Sequence, residues 1–66
     1  MGEDVHMYNV FLIDSHTGEI VAYEKCIKVE LAYSQINLYT IDLFGNRCKT
    51  SVDTNTWKLE KIVCTK

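Results

Sequence analysis

Residues 36–64 read INLYTIDLFGNRCKTSVDTNTWKLEKIVC, and their pattern decides the fold. Runs rich in β-branched and aromatic residues alternate with small polar clusters, the signature of short strands joined by turns. Gly45-Asn46 lies between two such runs. Gly takes positive φ without steric cost and Asn tolerates it, so the pair predicts a two-residue hairpin turn. That turn sets Phe44 opposite Arg47, Leu43 opposite Cys48, Asp42 opposite Lys49 and Ile41 opposite Thr50. Tyr39, Ile41, Leu43, Cys48, Thr50 and Val52 then share an apolar face. Thr40, Asp42, Phe44, Arg47, Lys49 and Ser51 share a polar one. Side chains alternate along a strand, so a one-residue slip destroys this segregation. The register predicts that Leu43→Asp unfolds the domain and that Asp42→Ser does not.

Asp53-Thr54-Asn55-Thr56 reads as a second turn, because Asx and Thr side chains hydrogen-bond their own backbone. A hairpin there pairs Val52 with Trp57, Thr50 with Leu59 and Lys49 with Glu60. Trp57 and Leu59 join the apolar face, and Lys49 sits between Asp42 and Glu60 as a charge ladder. After Glu60 the alternation fails. A bulge at Glu60-Lys61 would return Ile62 and Cys64 to the inner face. Residues 36–64 thus form a three-stranded meander.

Upstream, Val5–Asp14 reads as a strand. Val10 and Leu12 fall on one face and Phe11 and Ile13 on the other, so the strand is expected to be central or shared between layers. Ser15-His16-Thr17-Gly18 is a turn cluster that pairs Ile13 with Ile20, Leu12 with Val21 and Val10 with Tyr23. Residues 24–34 carry two patterns. Ile27, Val29 and Leu31 alternate as in a strand, whereas Tyr23, Cys26, Ile27 and Leu31 fit a helical stripe with Glu24 and Lys28 as an i,i+4 pair. A bent, continued strand is the preferred reading and a short helix within 24–34 the alternative. Met1–Asp4 reads as a frayed start, and Thr65 and Lys66 as a tail. The expected fold is a small five-stranded antiparallel barrel or two-layer sheet, of SH3-like or OB-like size, with meander 36–64 packed on hairpin 5–23. Pairing of the first strand with the last would close it.

Sixty-six residues make one domain, near the lower limit for an autonomous core. A homodimer is one way to bury more surface. Hydrophobic residues are 47% and charged residues 24%, which is the balance of a folded globule rather than a disordered chain. Net charge is −2 and the basic residues are dispersed, so no charge field draws the chain to nucleic acid or a membrane surface. Glu3 and Asp4 occupy the place of a basic leader, and the early apolar run ends at Asp14. A cytoplasmic location is therefore expected. Cys26, Cys48 and Cys64, odd in number and widely spaced, read as buried thiols. Six Lys against one Arg, with six Ile, four Asn and four Tyr, match AT-rich codons and suggest a low-GC bacterium or its phages.

Few residues suggest chemistry. Asp14-Ser15-His16 holds the residue types of a hydrolase triad, but neighbours within one turn cannot converge as nucleophile, base and orienter. The reading is an Asx turn. His6, His16 and the cysteines lack any metal-ligand spacing, so no metal and no cofactor is expected. So short a chain also leaves little room for a substrate pocket, and an enzyme is not expected. The expectation is a non-catalytic module, of the phage or mobile-element kind that acts on a host protein, contacting that protein through Phe44, Arg47 and Tyr33. The alternative is a small-barrel binder of single-stranded nucleic acid through Phe44, Arg47, Lys49 and Lys58, with Phe44 as the stacking ring.

Overall fold

The computed structural model describes residues 6–65; the expected frayed start at Met1–Asp4, and Lys66, lie outside them. The chain is all-β. Five strands, β1 (Tyr8–Asp14), β2 (Ile20–Leu31), β3 (Gln35–Ile41), β4 (Arg47–Asp53) and β5 (Trp57–Cys64), form one antiparallel sheet. Their order is β4-β3-β2-β1-β5, and the sheet does not close. Residues 24–34 hold no helix; the bent strand is correct. Thr65 is no loose tail, since its N–H and hydroxyl both donate to Met7 O, at 2.8 and 3.1 Å.

β1 is central, as its two apolar faces require. It pairs with β2 through Ile13–Ile20, Leu12–Val21 and Val10–Tyr23, the pairs the turn cluster predicts. On its other side it pairs with β5. The expected pairing of first strand with last is therefore present, but the meander 36–64 is not. β4 and β5 are opposite edges of the sheet, so Val52–Trp57, Thr50–Leu59 and Lys49–Glu60 do not form. Closure needed both neighbours of β5, and only β1 is there.

The link between those edges explains the shape. Residues 54–56 span only about 10 Å at full extension. Yet Thr54 N donates to Ser34 O, just past β2, and Ser15 N donates to Thr56 O, just before it. A straight 12-residue strand would hold its ends roughly 36 Å apart. β2 must therefore fold back on itself. It does so at Lys25, which takes φ of 56° within the register shift of its pairing with β1 and just before that of its pairing with β3. Its first half belongs to a layer with β1 and β5, and its second half to a layer with β3 and β4. The two layers enclose Val10, Leu12, Cys26, Ile36 and Leu38, with Tyr23, Val29, Val52 and Trp57 packed around them.

The bulge expected in β5 is present. The register shifts between Leu59 and Lys61, which sets Ile62 opposite Val10 and Cys64 opposite Tyr8 on the inner face. Both remain exposed there, because β5 is an edge with no further strand to cover them.

The β3–β4 register departs from expectation. Observed pairs are Ile41–Arg47, Tyr39–Lys49, Leu38–Thr50 and Ile36–Val52. The faces of β4 are those expected, but the faces of β3 are exchanged: Ile36 and Leu38 point in, while Tyr39 lies opposite Lys49 on the outer face. The cause is the turn. A two-residue loop at Gly45-Asn46 would set Phe44 opposite Arg47, but Ile41 holds that place. Gly45 takes its φ of 83° in a different turn. Gly45 N instead donates to Asp42 O at 3.1 Å, so Asp42-Leu43-Phe44-Gly45 is a β-turn with Asp first and Gly fourth. Leu43 is consequently 84% exposed, so the expected unfolding by Leu43→Asp does not follow. Asp42 becomes the structural residue of the pair. The ladder Asp42–Lys49–Glu60 is absent as well, with Glu60 on the far edge.

Candidate functional site

Asp42 builds the most distinctive surface feature. Its Oδ1 accepts the N–H of Phe44 at 2.9 Å and of Asn46 at 2.8 Å, and its Oδ2 accepts from the Asn46 amide at 3.3 Å. Its own N–H donates to Asn46 O at 3.0 Å. The Asn46 N–H, then that of Phe44, hold the Asp42 carboxyl below its usual range. The turn is thus fastened from both sides of one carboxylate. What it presents is Leu43 and Phe44, 84% and 87% exposed and adjacent at the tip. Arg47, also exposed, begins β4 at the base of the turn.

Beside this tip runs the outer face of β2, β3 and β4, in two cross-strand rows. Glu30, Asn37 and Ser51 form one. The Asn37 amide donates to Glu30 Oε1 at 3.0 Å and the Ser51 hydroxyl to Asn37 Oδ1 at 2.7 Å. Asn37 is buried, and both its side-chain polar atoms have partners. Lys28, Tyr39 and Lys49 form the other row. The ammonium groups lie 5.4 and 5.8 Å from the Tyr39 ring centroid, and the Tyr39 hydroxyl donates to Glu30 Oε1 at 3.2 Å. These donors, the Asn37 amide first, lower the Glu30 pKa. The rows are tied together by the Glu30 carboxylate, which accepts from Asn37 in one and Tyr39 in the other. A base stacking on Tyr39 would have to displace at least one ammonium group.

The residues singled out from sequence separate accordingly. Phe44 and Arg47 share the β3–β4 end. Tyr33 is fully exposed, but in the β2–β3 turn at the opposite end of β3. Lys49 lies on the outer face with Arg47. Lys58 does not join them, since it sits on β5 and its ammonium donates to Thr54 O at 2.8 Å. Sequence reasoning missed Leu43, which it placed in the core, and Tyr39, which it also turned inward. The Asp-x-x-Gly spacing of Asp42 and Gly45 was the signal for both.

The other constellations are turns or isolated groups. Asp14 Oδ1 accepts from the N–H of His16 at 2.8 Å and of Thr17 at 3.2 Å, and the His16 N–H is the main cause of its lowered pKa. The Ser15 hydroxyl points to Asn55 O and Thr56 O, at 3.2 and 3.1 Å, away from His16. Cys26 is buried as expected, but Cys48 and Cys64 are exposed, one on each edge strand; none is disulfide-bonded. Among the described residues no three His, Cys, Asp or Glu side chains converge as a metal site. Among the described residues no helix is long and apolar enough to cross a membrane. The chain matches no protein-family model, no curated protein and no solved structure.

Proposed function

We propose that the chain is a non-catalytic binding module of the cytoplasm that contacts another protein through the Leu43–Phe44 tip, with Arg47 at its base. One observation carries the reading: two large apolar side chains stand almost fully in water on a turn whose backbone N–H groups one carboxylate fastens. Neither ring nor isobutyl group contributes to the core, so the fold does not need them. An apolar anchor on a preorganised loop loses little conformational entropy on binding, and hot spots are built this way. Arg47 would add a bidentate donor for a carboxylate at the partner's rim.

The test is affinity capture with wild-type chain and with Phe44→Ala, with and without nuclease. A stoichiometric protein retained after nuclease and lost with Phe44→Ala supports the reading. Capture that Phe44→Ala leaves unchanged removes the tip from the interface. Enrichment that nuclease abolishes points to the nucleic-acid alternative, whose affinity would fall steeply with salt.

A further inference from the structure

We infer that β4 is a self-complementary edge, and that two copies of the chain pair through it as an antiparallel two-fold dimer. β4 is an unpaired edge with a regular register to β3 along its whole length, whereas the other edge, β5, is bulged at Glu60. Bulges twist an edge away from pairing, and β4 lacks that protection. The direction of its backbone groups follows from its flanks. Asp42 N donates to Asn46 O, and Thr54 N donates to Ser34 O. Even-numbered residues therefore face inward along this ladder. Because hydrogen-bonded positions alternate, the N–H and C=O groups of Arg47, Lys49, Ser51 and Asp53 face the open edge.

A two-fold axis at Thr50 pairs these groups with no remainder. Arg47 meets Asp53 of the second copy, Lys49 meets Ser51, Ser51 meets Lys49 and Asp53 meets Arg47. Each charge at the ends of the strand faces its opposite, twice over. On the inner face Cys48 meets Val52 and Thr50 meets Thr50, so the β3–β4 layer continues across the junction. Registers displaced by two residues lose this match. One sets Lys49 against Lys49, and the other leaves Arg47 beyond the paired segment. Self-matching under a two-fold axis is the condition for a closed symmetric dimer rather than open-ended assembly. Leu43 and Phe44 lie outside the paired segment while Arg47 is common to both readings, so Phe44→Ala tests the protein contact without touching the dimer.

Two measurements decide it. Sedimentation equilibrium of the wild-type chain should give a mass that rises with concentration from 7.6 kDa toward twice that value. Arg47→Glu, which sets two carboxylates against each other at both ends of the pair, should hold it at the monomer mass. Arg47→Lys, which keeps the charge opposite Asp53, should leave the dimer in place. Amide exchange of the wild-type chain needs no variant at all. The amides of Arg47, Lys49, Ser51 and Asp53 should become protected as concentration rises, while those of Thr50 and Val52 are protected throughout. A monomer mass at every concentration overturns the proposal. So do a dimer that Arg47→Glu leaves intact, and edge amides that exchange equally fast at all concentrations.

Discussion

Asp42, Asp14 and Asp53 each stand at the end of a strand, and each Oδ1 accepts the N–H two residues on: Phe44, His16 and Asn55. Such Asx turns favour the ionised carboxylate, and the pKa of Asp42 and of Asp14 lies below its usual value as a result. A folded-state pKa below the unfolded one contributes stability above the unfolded value. That contribution is lost as pH falls through the folded value. Stability should therefore decline below about pH 4, where these groups and Glu30 take up protons. Urea unfolding across that window should show Asp42→Asn less stable at neutral pH and flatter toward acid than wild type. An unchanged acid limb in Asp42→Asn would mean that the turn does not depend on the charge. Phe44→Ala should shift stability by no more than about 0.5 kcal/mol, since the ring touches no core residue. The role of Asp42 was legible in principle, because Asp first and Gly fourth is a turn signature. Gly45-Asn46 offered a competing turn that produced a cleaner polar–apolar split, and that split proved misleading. Exposed Leu43 and Phe44 serve no core, so a pattern that assumes every large apolar residue is buried assigns them wrongly.

At the level of the element, β2 makes two layers from one sheet, and Lys25 is its hinge. A β-carbon at positive φ costs roughly 1–2 kcal/mol. Glycine carries no such cost, although it raises the entropy of the unfolded chain. Lys25→Gly should therefore be neutral or stabilising by up to about 1 kcal/mol in chemical denaturation, against the loss expected at any other exposed strand position. Lys25→Val should destabilise. A clear loss in Lys25→Gly would place the bend elsewhere. Hairpin β1–β2 was readable because its turn cluster and both apolar faces agree on one register. The bulge in β5 was readable because the pattern itself slips there. The partner of β5 was not, since a three-residue link resembles a hairpin turn whether the next strand lies alongside or crosses to the far edge. Only the fold-back of β2, set by one residue's backbone angle, distinguishes the two.

For the whole molecule, five buried apolar side chains among the described residues form the core of a 66-residue chain. Domains of this size are stable by about 3–10 kcal/mol. Leu38→Ala, at a fully buried position, should cost about 2–5 kcal/mol, enough to unfold much of the population at 37 °C. The same register that buries Leu38 turns Leu43 and Phe44 outward, and the proposed binding tip exists only if it holds. Thermal unfolding of Leu43→Asp tests this most directly. A cooperative transition within about 4 °C of wild type is expected, as for a substitution in water. An unfolded Leu43→Asp chain would return Leu43 to the core, restore the two-residue turn at Gly45-Asn46, and contradict both the fold and the site.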